Sequence, residues 1–290
     1  MTFSIVATDG TEWGVAVASK FLAVGAAVPA AAAGVGAIAT QSYANLAYRP
    51  DGLRLLRDGK SAQETLDALT GADEQRETRQ AGIVDGAGRA ATFTGSGCHP
   101  WAGGVTGSIE GHGGYAVQGN ILVGPEVVEA MEQAWQATTA DMPLARRLMA
   151  ALVAGDAAGG DRRGRQSAAL YVAKAEGGYG GGSDVHVDLR VDDAALPIPE
   201  LGRLLDRHDV FFGKPDTAQM IDVDDELARE VAGHLTTLGH PPAGDDMLSL
   251  GLAMWDWAGI ENLEERMVRE PKIDPLVLQV LREKAAAAGS

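Results

Sequence analysis

The 290-residue chain has a single cysteine, Cys98, so it can build neither an internal disulfide nor a cysteine-rich zinc site. Positive charge is also scarce. Against 40 Asp and Glu stand only 24 Lys and Arg, a formal net charge of −16. A surface with so little to displace counterions from phosphates excludes nucleic acid as a partner. No basic n-region precedes an apolar h-region, so no export signal is read and a cytoplasmic location is expected. Long apolar runs are missing too. The stretch from Phe21 to Ala39 is mostly Ala and Gly with Pro29 inside it, and reads as buried strands and a turn rather than a membrane span. No long-period repeat is present.

What is present suits a folded protein. Hydrophobic residues make up 46% and charged residues 22%, on a chain long enough for one large domain plus a small one. Ser4 to Thr8 and Gly14 to Phe21 are β-rich runs separated by "DGTEW", a hairpin signal. "GVGAIATQS" (34–42) follows as a third strand. Two helical patterns come next, and the second, "SAQETLDALTG", opens with Ser61 and Glu64 at capping-box spacing. Residues 79–95 read as a hairpin turning at Asp85-Gly86, then a looser region of Gly, His and Trp, then the strand "YAVQGN" (115–120). Helices around 124–138 and 142–155, a strand pair at 167–174 and 184–192, and the helix "PIPELGRLLDRHD" complete this part. The order predicts an α+β domain of stacked antiparallel sheets with outer helices.

Beyond residue 217 no strand pattern is visible, and three helical segments predict a small helical domain. The expected domains are 1–214 and 217–290, with Gly213-Lys214-Pro215 as the boundary. Leu252, Trp255 and Trp257 are the tail's candidate buried residues. Helical spacing groups Leu252 with Trp255 and sets Trp257 further round. Trp257 is then the tryptophan expected to meet another surface, unless both fill a small core.

Chemistry is suggested first at the start of the chain. A Thr directly after the initiator Met can become the N-terminus, with a hydroxyl and a free amine on one residue. The α-amine, with a pKa of about 7.7 to 8.0, can then serve as base for that hydroxyl. Thr2 is therefore the candidate nucleophile, and an ordinary β-forming Thr behind a retained Met1 is the plain alternative. Lys20 could lower the hydroxyl's pKa. Adjacent strand residues face opposite ways, so Ser19 and Lys20 cannot both face Thr2. Gln41 and Asn45 after the third strand, and Gln118 in "VQGN", carry amides that could bind substrate. Asn120 could donate to an oxyanion. In "GGDRRGRQS", Asp161 could orient the amine or hydroxyl and Arg162 could clamp a carboxylate.

Other signals fail. "DGKS" (58–61) has Arg54 where a phosphate loop needs Gly. "EGGYGGGSD" precedes no helix, so it is not a dinucleotide fingerprint. Asp184, His186 and Asp188 alternate on one strand face, but no further ligand motif supports a metal, and none is expected.

Together "MTFSIVATDG…WGVAVASKFLAVGAAVPAAAAGVGAIATQSYAN", "VDGAGRAATFTG", "VQGN", "AGGDRRGRQSAAL" and "GYGG…VDLRVDD" resemble a bacterial and archaeal domain family of unknown function, number 1028, from about residue 2 to 213. That family is grouped with the N-terminal-nucleophile hydrolases. The resemblance implies an αββα sandwich and Thr2 as nucleophile, with no settled substrate. The tail, with "GIENLEER" and "IDPLVLQVLRE", resembles a helical region labelled peptidoglycan-binding.

The leading expectation is an amidohydrolase acting on a small amide or peptide-like substrate, with no metal or organic cofactor and with self-association into a homo-oligomer. The rival is a non-catalytic binding or scaffold protein whose helical tail engages a polymer such as peptidoglycan, or a protein partner.

Overall fold

The chain enters its core at its second residue. In the computed structural model, which describes residues 2–109 and 113–289, every residue of β1 (Thr2–Thr8) and β2 (Glu12–Ser19) is buried. Their turn is held by Asp9, whose Oδ1 accepts the N–H groups of Thr11 and Glu12 at 2.8 Å. Gly10 takes the left-handed backbone that only glycine adopts freely. A short helix α1 (Val24–Ala27) leads into β3 (Pro29–Ala32) and β4 (Gly36–Ser42). Helices α2 (Tyr48–Arg57) and α3 (Ala62–Gly71) follow, the latter opened by the expected capping box of Ser61 and Glu64. Strands β5 (Arg79–Asp85) and β6 (Ala90–Thr94) form the next hairpin, its turn tied by Asp85 Oδ1 to the N–H groups of Ala87 and Arg89.

Next come β7 (Ala102–Ile109), β8 (Gly113–Asn120), α4 (Glu126–Gln136), α5 (Leu144–Ala157), β9 (Ser167–Lys174), β10 (Val185–Val191) and α6 (Pro197–Phe212). The strands make two antiparallel sheets, ordered β10-β9-β2-β1-β8-β7 and β3-β4-β5-β6. Helix α5 packs on β1 and β2, α2 and α3 cover the second sheet, and the two sheets meet face to face. The unit is thus α+β, with antiparallel sheets between helix layers. Strand alternation decides what each layer receives. Ser4 and Val6 of β1 point to the second sheet, whereas Phe3 points to α5, close against Gly155.

Two segments differ from expectation here. The region read as loose contains β7, an edge strand that pairs along its length with β8. Its sequence "AGGVTGSI" has too few large side chains to show the alternation that its backbone nevertheless follows. The Ala/Gly-rich stretch between 21 and 39 contains a helical turn, α1, as well as strands.

Contacts divide the chain into two units, Met1–Leu204 and Leu205–Ser290, so the division falls within α6. The second unit contains α7 (Asp225–Thr237), α8 (Met247–Glu261) and α9 (Pro275–Ala288). It also has a two-residue ladder, β11 (Ile221–Asp222) with β12 (Lys272–Ile273), too short to leave a strand pattern. Its core gathers Val231, Leu235, Leu250, Met254, Trp257 and Leu281. The buried Arg266–Asp274 pair, at 2.9 Å, is completed by the Val210 carbonyl and by the Leu276 N–H.

For Trp257 the small-core alternative holds, and for Trp255 and Leu252 it does not. Trp257 is 2% exposed, while Trp255 is 41% and Leu252 64% exposed. Helix α8 carries only Asp256 and Glu261 as charges, so it is apolar on all sides and periodicity cannot select the buried face.

Candidate functional site

Thr2 opens β1 and is 6% exposed. The antiparallel register, with Phe3 opposite Ala18, brings Thr2 to the end of β2, and its Oγ1 lies 3.1 Å from Ser19 Oγ. On its other side Thr2 is paired with Asn120 of β8. Of the two residues that could have faced Thr2, the structure selects Ser19. Lys20 lies just past the strand, is exposed, and directs Nζ to the Arg165 carbonyl at 3.4 Å. The expected stabilisation of the Thr2 hydroxyl by Lys20 therefore has no contact behind it, and a hydroxyl occupies that place. Removal of Met1 concerns a residue outside those described.

Behind Thr2 the inter-sheet space is filled by amides. Ser4 Oγ donates to Gln41 Oε1 at 2.7 Å and accepts from Gln118 Nε2 at 2.6 Å. Gln41 Nε2 donates to Gln80 Oε1 at 2.8 Å and, more weakly, to the Thr2 carbonyl at 3.4 Å. Asn120 Nδ2 donates to the same Gln80 oxygen at 2.9 Å, and Gln80 Nε2 reaches the Gly119 carbonyl at 2.7 Å. Gln41, Gln80, Gln118 and Asn120 are all at most 1% exposed. An unpaired amide buried this way costs about 1 to 3 kcal/mol, so this network holds only because its members satisfy one another. Gly82 makes the room: a Cβ there would lie 2.1 Å from Gln118 Oε1.

The structure thus brings together Thr2, Ser19, Gln41, Gln118 and Asn120. Gln80, the hub, was missed from the sequence. Its signal was a glutamine in "RQAGIVD" at a strand position where an apolar residue belongs, directly opposite Gln41 in register.

Asp161 lies nearby in a different role. Its carboxylate accepts the Lys20 N–H at 2.7 Å and the Arg163 N–H at 2.8 Å, fastening the loop after α5 to the end of β2. A cleft of about 190 Å³ opens beside this loop, lined among others by Phe3, Ser19, Val123, Asp161 and Arg162. Ser19 connects it to Thr2.

Asn45 stands apart from this group. It joins Tyr48 and Arg79 in bonding Asp73 Oδ2, at 3.0, 3.0 and 2.9 Å. The Arg79 guanidinium, with these donors and the Gln75 N–H, holds the Asp73 carboxyl well below the usual carboxylate range. Burial, reinforced by the bond to Asp73, raises the Tyr48 hydroxyl. This cluster braces a loop and gives Asn45 a structural task.

Among the described residues no group of three His, Cys, Asp or Glu is placed to hold a metal ion, and no helix is long and apolar enough to cross a membrane.

Comparison with known proteins bears on the whole chain. Residues 2–201 match the family model described as "Family of unknown function (DUF1028)", and residues 211–281 match one described as "Putative peptidoglycan binding domain". The crystal structure of a Silicibacter pomeroyi protein assigned to the first family is similar. It is 32% identical, with 72% of this chain and 89% of that one covered and a TM-score of 0.63. No curated protein matches.

Proposed function

For a chain that belongs to the DUF1028 family, itself of unknown function, the chemistry has to be read from the site, and we propose an amidohydrolase with Thr2 as its nucleophile. The observation that carries this is the buried Thr2–Ser19 hydroxyl pair at a strand end, set on a hydrogen-bonded amide network beside a cleft. Once Thr2 is the N-terminal residue, its amine takes the Oγ1 proton, directly or through water, as Oγ1 attacks the substrate carbonyl. Ser19 Oγ orients Oγ1. Backbone N–H groups and Asn120, whose side chain is fixed by Gln80, stabilise the oxyanion. The C–N bond breaks and the leaving amine receives that proton; water then attacks the acyl–threonine ester, its hydroxide joining the acyl group to release the acid and its proton passing through the Thr2 amine to Oγ1.

Replacing Thr2 tests this directly. Thr2→Ala should abolish turnover of small amides while changing stability by less than about 1 to 2 kcal/mol. Thr2→Ser should keep part of the activity, because amine and hydroxyl both remain. Wild-type rates in Thr2→Ala on a genuine substrate would remove the assignment.

The second unit supports a separate reading, binding of a peptidoglycan-like polymer, through its family match. Its groove of about 500 Å³, lined by Met247, Leu248, Leu252, Trp255 and Met267, is the proposed contact surface. Co-sedimentation with purified peptidoglycan should be weakened by Trp255→Ala. Equal retention of both proteins would reject the reading.

A further inference from the structure

The cleft beside Thr2 holds one arginine that its own carboxylates do not use. Asp156 is taken by Arg165, whose Nε lies 2.6 Å from Oδ1. Asp161 is taken by two backbone N–H groups and by the Arg163 guanidinium at 3.4 Å. Arg162 lies between these paired residues and lines the cleft. Its backbone N–H is tied to the Ile121 carbonyl at 3.3 Å, but its side chain makes no ion pair or hydrogen bond among the described residues. In a chain with 40 acidic and 24 basic residues, carboxylates are available almost everywhere. Arg162 is exposed at the cleft, so its guanidinium, held by no protein carboxylate, is free to take an external anion, and its planar fork fits a carboxylate best.

We infer that Arg162 receives a free carboxylate of the substrate, so that the site takes amides bearing an acid group. Phe3, Val123 and Ile198 supply apolar wall for the rest of the molecule. A cleft of about 190 Å³ sets the scale as that of a small acylated amino acid or half-amide, not a long peptide. Thr2 itself does not line this cleft; Ser19 does, and its hydroxyl touches that of Thr2, so the cleft adjoins the proposed nucleophile through Ser19. The hydrolytic part rests on the Thr2 reading; the binding part does not.

The full-length protein is tested with two acid and neutral pairs. N-acetyl-leucine against N-acetyl-leucinamide places the acid on the amine side, and succinamate against succinamide places it on the acyl side. In wild type, kcat/KM for the acid of at least one pair should exceed that of its neutral partner by about tenfold or more, the scale of a charged hydrogen bond. Arg162→Gln should erase that preference, mainly through KM, and Arg162→Lys should restore part of it. Equal use of acid and neutral amide by wild type, or a preference that survives Arg162→Gln, would overturn the assignment while leaving Thr2 as nucleophile. Calorimetry on Thr2→Ala protein separates the two readings. Acid-selective binding there that is lost in Thr2→Ala/Arg162→Gln upholds the role of Arg162 even if Thr2 proves not to react. Absence of acid-selective binding rejects it.

Discussion

The two ends of the inter-sheet layer share strands β1, β2, β4 and β5, with β8 added at the polar end, but differ in chemistry. At one end Val6, Val15, Val84, Ala37 and Trp13 form a buried apolar cluster. At the other, Ser4, Gln41, Gln80, Gln118 and Asn120 fill the space behind Thr2 and Ser19 with hydrogen-bonded amides. Apolar burial stabilises by about 25 cal/mol per Å² of surface removed from water and needs no fixed orientation. Paired amides contribute only about 1 kcal/mol each, but they fix the direction of every group they bond. The first end stabilises the sandwich, and the second orients it.

Gln80→Leu should break the comparison most severely. It strands the Gln41 and Asn120 donors and the Gly119 carbonyl in the core, so a loss of about 2 to 5 kcal/mol is expected, with loss of turnover. Val15→Ala at the apolar end should cost about 1 to 3 kcal/mol and leave kcat/KM unchanged. Urea melts and rates on the two proteins check this pair. Full turnover in a folded Gln80→Leu protein would show that the network does not position the site.

Ser19→Ala sharpens the contrast within the polar end. It should lower kcat by about tenfold to a hundredfold with a stability change of at most about 1.5 kcal/mol, because one hydroxyl of the pair remains. An unaltered kcat would make Ser19 a bystander.

The smallest effect belongs to the Asp73 cluster. The folded-state pKa of Asp73 is depressed, so its stabilising contribution is fully present above the ordinary carboxylate value of about 3.9 and is lost as pH falls towards the folded value. Below about pH 4, wild type should therefore lose stability more steeply than Asp73→Asn, measured as urea midpoint against pH. Parallel slopes would mean that the Arg79 pairing does not set the titration.

What was legible in the sequence was local. The Asp9-Gly10 turn, the Ser61–Glu64 box and the Asp85 hairpin could be placed because each is decided by residues within a few positions. Thr2, Gln41, Gln118 and Asn120 were identifiable as polar groups at strand ends, but their mutual bonding depends on how two sheets face each other. That packing also chose Ser19 over Lys20 and gave Gln80 its central place. Strand β7 was hidden by its glycines. The exposure of Trp255 and burial of Trp257 were hidden for the opposite reason, a helix with apolar residues on every side.

Thr2 as the reacting residue is tested most directly by covalent capture. Protein produced with its native start is treated with a small β-lactone, a hydroxyl-acylating probe, digested, and mapped by mass spectrometry. The expected result is an N-terminal peptide that begins at Thr2 and carries the acyl group on that residue, with no label in Thr2→Ala. A peptide that retains Met1 in catalytically active protein, or label on Ser19 or another hydroxyl with Thr2 unmodified, would contradict it.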